Sequence, residues 1–332
     1  MLSPFDETSQ SLVKKYLSQE IYQRLKTRST VAGFTLEKAI RSGVENVDSA
    51  IGIYAGDPQS YQLFSEIFVP VIRAYHGFAQ GDVHCAGFSP VTLSDPDPEK
   101  KYILSTRVRV ARNVEGFNFT THLSLQERQK LEKTVVAALA LLPGPFSGEY
   151  TAFDGAVAGG NIFNKGDRFQ DAAGINSDFP KCRGGFYAKD KRFRIWLNEE
   201  DHLRIISQET SADLAAVFNH LYSGLGALEK SLTFARNKRY GHLTTCPTNL
   251  GTSMRAGVHI RLKKLNNNRT LLHKIVDEYQ LQLRGTGGEN TEVEAAVFDV
   301  SNKQRLGISE VAIVSKLHRG LEAIIEAEKN CG

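Results

Sequence analysis

Two stretches of this chain alternate arginine with aliphatic residues at every second position, and that alternation restricts the fold more than any other feature. Over Tyr102–Arg112, Ser105, Arg107 and Arg109 fall on one side and Thr106, Val108 and Val110 on the other. Successive side chains of a strand point to opposite faces, so a period of two describes a strand with one wet and one buried face. Arg255–Leu262 repeats the device, with Arg255, Gly257, His259 and Arg261 opposite Ala256, Val258, Ile260 and Leu262. Tyr279–Arg284, Val293–Val300 and Phe193–Leu197 read as further strands. Strands of a parallel sheet are buried on both faces and read as continuous apolar runs, so this pattern predicts an antiparallel sheet.

Helical periodicity fills the intervals. Residues 9–26 and about 60–76 carry apolar positions at helical spacing, with the small-residue loop SGVENVDSAIGIYAGDP between them. Ser124 followed by Glu127 predicts a capping box opening a helix to about Leu142. Thr210 with Asp213 predicts another to about Glu229, and Ser309 a last one to about Lys329. FSPVTLSDPDPEKK, residues 88–101, is rich in Pro, Asp and Ser and reads as a linker. The expected fold is α+β: a small all-helical N-terminal domain over residues 1–87, the linker, and a larger domain over 102–332 whose antiparallel sheet is flanked by helices. The glycine- and charge-rich loops at about 170–192 and 285–292 are candidate lids.

Composition narrows the class. With 332 residues, 41% of them hydrophobic and 23% charged, the chain is an ordinary globular protein long enough for two domains. Its longest apolar run, Val135–Leu142, ends at Pro143, well short of the ~20 residues of a membrane helix. The N-terminus shows no basic segment followed by an apolar one, so no secretory signal is expected. Cys85, Cys182, Cys246 and Cys331 are far apart and form no CxxC pair, which argues against a zinc site or a disulfide framework and for a cytoplasmic protein. The net charge of +4 is spread along the chain and gives no reason to expect nucleic acid.

The wet strand faces carry the chemistry. Arg107, Arg109, Arg255 and Arg284 lie on or at the ends of strands, and Arg204 follows the acidic run Glu199-Glu200-Asp201. Converging guanidinium forks match phosphate oxygens, whereas any one of these arginines taken alone reads as a solvated residue. There is no GxxxxGK[ST], no GxGxxG between strand and helix and no protein-kinase signature. A bound nucleotide would therefore be held by side chains. Glu200, after an apolar strand, and Glu289, in RGTGGEN, could meet across a cleft to grip a cation or act as a base, or could be surface acids. Cys246, in TTCPTNLGT, is either an inert buried thiol or, beside cations, a thiolate.

Read together, these strings resemble the phosphagen (ATP:guanidino) kinase family. CPTNLGTSMRAGVHIRL is similar to its signature, and LSTRVRVARNVEGF, GDRF, WLNEEDHLRIIS, RGTGGE and SNKQRLG resemble its other blocks in order, over about Leu12 to Glu326. The resemblance implies that Ser105, Arg107, Arg109, Arg204, Arg255, His259, Arg284 and Asp299 contact the nucleotide. It implies that Glu200 and Glu289 clamp the guanidinium beside Cys246, and that Ser49, Ala50, Ile51 and Tyr54 meet the substrate from the N-terminal domain. The loop DSAIGIYAGD has the short length of the family's arginine-using members, although Ala50 stands where those usually carry glycine and Gly257 where serine is usual.

The activity so implied is reversible transfer of the γ-phosphoryl group of MgATP to L-arginine, with Mg²⁺ held by phosphates and water rather than by protein ligands, in a monomer. Taurocyamine, lombricine or creatine are alternative acceptors. A protein-arginine kinase is a further reading, disfavoured by the helical N-terminal region. A non-catalytic anion- or RNA-binding sheet is disfavoured by the trio Glu200, Glu289 and Cys246.

Overall fold

The computed structural model describes residues 4–153, 167–285 and 296–331. The N-terminal part is helical: α1 (Leu12–Tyr16), α2 (Gln19–Leu25), α3 (Leu36–Glu45), α4 (Ser60–Leu63) and α5 (Ser65–His76). The helix expected over 9–26 is two, because the Ser18 hydroxyl accepts from Ile21 N and starts a new helix after Leu17. The 60–76 helix is likewise interrupted at Phe64. SGVE, expected in a loop, is instead the last turn of α3, which Thr35 caps. Between α5 and β1 (Ile103–Arg112) the chain forms no helix or strand.

The larger part is built on eight strands, all paired antiparallel: β1, β2 (Gly148–Ala152), β3 (Gly184–Ala188), β4 (Phe193–Leu197), β5 (Leu203–Glu209), β8 (Met254–Arg261), β9 (Leu281–Arg284) and β10 (Val297–Asn302). They lie in the order β2-β3-β4-β5-β1-β8-β10-β9, and β6 (Arg236–Asn237) pairs with β7 (Gly241–His242) in a separate ribbon. The start of the strand expected from Val293 falls partly outside the described residues.

One sheet face is apolar. Val108, Val110, Met254, Ala256, Val258, Ile260, Leu203, Ile205, Phe298 and Val300 are buried in a single cluster with α8 (Leu214–Leu228) and α10 (Glu310–Asn330). The remaining helices are α6 (Leu125–Leu139), α7 (Arg168–Ala173) and α9 (Arg269–Glu278). The capping box of α6 is complete: Glu127 N donates to Ser124 Oγ at 3.2 Å and Ser124 N to Glu127 Oε2 at 2.9 Å. For α8 the cap is Asp213, which accepts from Ala216 N, and not Thr210. Ser309 caps α10 as expected. Residues 170–192 are not one loop, since they hold the end of α7 and all of β3.

A second core joins the two parts. Phe34, Ile53, Ala55, Tyr61 and Phe68 from the N-terminal helices are buried with Phe119, Tyr240, Leu243, Leu250 and Leu306. Backbone bonds reinforce it: Ala55 N donates to Thr245 O at 2.8 Å and Phe119 N to Gly56 O at 2.8 Å. The helical region is therefore fixed against the segment that carries Cys246.

Candidate active site

Register alone gathers the arginines. In β1 and β8, Arg109 faces Arg255, Arg107 faces Gly257 and Ser105 faces His259. On the other side of β1, Ala111 faces Arg204 and Arg107 faces Gln208. Asp299 of β10 faces both His259 and Arg284. Cross-strand partners share a face, so Ser105, Arg107, Arg109, Arg204, Arg255, His259, Arg284 and Asp299 all lie on the polar side of one sheet. Two adjoining crevices run along it and share Arg255: one is walled by Arg109, Glu199, Glu200, Arg204 and Arg305, the other by Ser105, Arg107, His259 and Asp299.

This face holds more positive charge than it neutralises. Arg204 pairs with Glu199 at 2.7 Å, and Arg255 with Asp299 at 2.9 Å. Arg255 Nε also donates to Ser301 Oγ at 3.1 Å. Among the described residues neither Arg107 nor Arg109 forms an ion pair. Burial, followed by repulsion from Arg204, Arg107 and Arg255, pulls the Arg109 pKa well below its ordinary value. Burial likewise lowers that of Arg107. Guanidinium groups gathered on one face with few carboxylates can take up an anion, and phosphate oxygens match their forks of donors.

The acidic run sits at the end of this face because of a tight turn. Asn198 adopts φ +56°, its N–H donates to His202 O at 2.8 Å, and its side chain donates to Cys182 O at 2.7 Å. The three carboxylates that follow have different surroundings. Glu199 pairs with Arg204, while Asp201 is buried and accepts from Asn113 Nδ2 and from Thr245 N, both at 2.7 Å. Glu200 has only a distant contact with Arg204 at 3.9 Å. Burial first, then the charges of Asp201 and Glu199, push its carboxyl up to about 7. That places it where a general base works at neutral pH.

Asp201 also positions Cys246, through Thr245 N. Cys246 is 6% exposed, and its Sγ lies 3.1 Å from Thr248 Oγ1. Burial, and after it the Glu200 carboxylate, push the thiol well above its ordinary range, the direction of the buried-thiol alternative. Tyr54 comes into the same corner. Burial, Cys246 and Glu200 in that order raise its phenol.

Ser49, Ala50 and Ile51 lie further toward the N-terminal helices, where the carbonyls of Ala50 and Ile51 accept from Leu12 N and Val13 N at 3.0 and 3.1 Å. The N–H groups of Ala50 and Ile51 make no hydrogen bond among the described residues. Glu289 lies outside the described residues. Among the described residues, no group of three His, Cys, Asp or Glu side chains is arranged to hold a metal ion.

Arg305 is the residue sequence reasoning missed. Its Nη1 donates to Thr248 O at 3.1 Å and to Asn249 Oδ1 at 2.7 Å, and it walls the crevice with Glu200 and Arg109. It follows β10 in irregular chain, where no period marks a side chain's direction. Its place within SNKQRLG was the one available signal.

The comparisons agree with this geometry. Residues 106–331 match the family model for the C-terminal catalytic domain of ATP:guanido phosphotransferase, and residues 7–73 that for its N-terminal domain. Arginine kinase of Penaeus monodon is 43% identical over 330 residues, covering 96% of this chain and 93% of the relative. The crystal structure of a lombricine kinase superposes with a TM-score of 0.91 at 34% identity, covering 97% of this chain and 93% of that one. The substrate-free duplicated taurocyamine kinase of Schistosoma mansoni gives 0.90 at 35%, covering 98% and 48%. With both of its characteristic domains matched in order and a relative this similar along nearly its whole length, the chain belongs to the ATP:guanido phosphotransferase family.

Proposed function

We propose that this enzyme reversibly transfers the γ-phosphoryl group of MgATP to the guanidinium of L-arginine, giving phosphoarginine and ADP. One observation carries the reading: a sheet face with unneutralised arginines ends at a carboxylate, Glu200, poised to ionise near neutral pH. That arrangement supports an anionic donor and a cationic acceptor lying end to end. The choice of arginine rests on the similarity to arginine kinases and on the short DSAIGIYAGD loop.

In this reading Arg107, Arg109, Arg204, Arg255 and Arg284 bind the phosphates, with Ser105, His259 and Asp299 completing the floor. Mg²⁺ arrives on the nucleotide, held by phosphate oxygens and water. Glu200 and Glu289 bracket the guanidinium and fix its plane. A guanidinium has a pKa above 12 and no free lone pair, so one nitrogen becomes nucleophilic only as it gives up a proton. Glu200 takes that proton while the nitrogen bonds to the γ-phosphorus and the bond to the β–γ bridging oxygen breaks, releasing ADP. The arginines stabilise the charge spread over the transferring oxygens. Cys246 offers its thiol beside the guanidinium. Tyr54 and the N–H groups near Ser49, Ala50 and Ile51 receive the substrate carboxylate.

We take the chain to divide into a substrate-recognition domain (1–87), a linker (88–101) and a catalytic domain (102–332), and to act as a monomer in the cytoplasm. No helix among the described residues is long and apolar enough to cross a membrane. A coupled ATP assay with arginine, taurocyamine, lombricine and creatine tests the substrate. Arginine should give the highest kcat/KM, and a clear preference for any of the other three would replace it.

A further inference from the structure

The connection from β1 to α6 does more than join two elements. Within residues 113–121 it bonds to three segments that the proposed mechanism uses: the turn that carries Glu200, the chain just before Cys246 and the chain just after Tyr54. Asn113 Oδ1 accepts from His202 N at 2.9 Å, and its Nδ2 donates to Asp201 Oδ1 at 2.7 Å and to Leu243 O at 3.2 Å. Thr120 Oγ1 donates to Glu200 O and lies 3.2 Å from Thr245 Oγ1. Phe119 N donates to Gly56 O at 2.8 Å, and Thr121 Oγ1 to Ala55 O at 2.7 Å. Val114 N donates to His202 Nδ1 at 2.9 Å, so the imidazole carries its proton on Nε2, which donates to Asn118 O at 2.7 Å. Burial pulls the pKa of His202 from 6.5 down to about 3, which keeps this bridge neutral.

The backbone of Glu200 is thereby held from two directions. Its N–H donates to Glu199 Oε2 at 2.8 Å, and Glu199 in turn pairs with Arg204 at 2.7 Å. Its carbonyl accepts from Thr120. One side of the residue is referenced to the arginine face and the other to a buried hydroxyl. Thr120 and Asn113 are both fully buried, and neither lines the two arginine crevices. They stand behind the acidic turn, where a change in either reaches the reaction only through the groups it holds.

We propose that Thr120 and Asn113 are positioning residues for phosphoryl transfer, fixing Glu200 against the Cys246 and Tyr54 segments and so setting the orientation in which the guanidino acceptor is held. The proposal rests on the reading that Glu200 takes the guanidinium proton. A base does its work only within hydrogen-bond reach of that proton, and a reacting group misplaced by about 1 Å can cost about 10²-fold in rate. A carboxylate at a turn keeps such precision only if the turn itself is anchored.

Steady-state kinetics with MgATP and arginine test it, with circular dichroism and the thermal midpoint reporting the fold. Thr120→Val keeps the shape and removes the donor, whereas Thr120→Ser keeps the donor and loses a methyl group. Thr120→Val should lower kcat by about 10–10²-fold with KM for MgATP unchanged, and Thr120→Ser should stay close to the parent. In a Glu200→Gln background, Thr120→Val should lower kcat little further, because residues that act as one unit are not additive. A hydroxyl that only supports the fold would cost the same factor in both backgrounds. Parental turnover in Thr120→Val, a raised KM for MgATP, a Thr120→Ser enzyme as slow as Thr120→Val, or equal losses in the two backgrounds would each overturn the proposal and leave the role of Glu200 standing. Parental turnover in Glu200→Gln alone would instead remove that role, and the proposal with it. If Thr120→Val does not fold, Asn113→Ala enters the same cycle with the same expected losses.

Discussion

Replacing Glu200 by Gln separates what this carboxylate does for catalysis from what it costs the fold. Its carboxyl is raised from an ordinary 4.5 to about 7 by burial and by its acidic neighbours. Between those values the folded protein holds a proton that the unfolded chain has released, so stability falls as pH climbs through the window, and above about 7 the full cost is present. At about 1.36 kcal/mol per pKa unit the ceiling is roughly 3 kcal/mol. The side chain keeps 19% of its surface in water, so solvent screens part of that cost. We expect roughly 1–2 kcal/mol after screening. Gln cannot ionise. Calorimetric unfolding should therefore show Glu200→Gln melting higher than the parent at pH 8, by roughly 2 °C per kcal/mol in a chain of this size, and level with it near pH 4. Turnover should fall by about 10²–10⁴ with nucleotide affinity nearly intact. The acidic limb near 7 in kcat/KM for the guanidino substrate should vanish. A variant no more stable than the parent at pH 8 would refute the electrostatic reasoning, and unchanged turnover would end the catalytic assignment.

Three further substitutions probe other parts of the account. Arg109→Ala should lower kcat/KM for ATP by roughly 10²-fold or more in steady-state assays, without lowering the thermal midpoint, because it removes a half-buried cation that has no ion pair among the described residues. A Cβ at Gly257 would lie 2.8 Å from both Ser301 Cβ and Val300 O. Gly257→Ser should thus cost about 1–3 kcal/mol in denaturant unfolding, part of it recovered by adding Ser301→Gly. Ser124→Ala removes one half of the α6 capping box and should cost about 1 kcal/mol with activity unchanged, which urea titration and the coupled assay would read together.

Much of the site was legible because a strand of period two states directly which residues share a face. Spacing alone put Arg107 with Arg109 on one face of a strand and Arg255 with His259 on one face of another, while the pairing of those two strands is a feature of the fold. Their place beside Arg204 could not be read that way, since it depends on β5 pairing with β1, and in β5 the adjacent apolar residues Ile205 and Ile206 break the alternation. β2 and β3 were hidden for the opposite reason: each is five residues long, and GGFYA begins on two glycines. Glycine Gly184 is required there because a Cβ would strike Thr151 O at 2.5 Å. The broken helix at Leu17–Ser18 followed from a competing cap within an otherwise continuous pattern. Roles for Glu200, Cys246 and Tyr54 came from motif resemblance, because no local period connects a β-turn, an irregular loop and a segment after α3. Between the two readings of Cys246, a buried thiol or a thiolate, sequence could not choose, because it does not report the burial of a single cysteine between threonines.

The most direct measurement is the crystal structure of the complex with MgADP, nitrate and L-arginine. The account predicts phosphates and nitrate against Arg107, Arg109, Arg204, Arg255 and Arg284, with the substrate guanidinium between Glu200 and Glu289. A nucleotide seated away from that sheet face, or a guanidinium with no contact to Glu200, would contradict it.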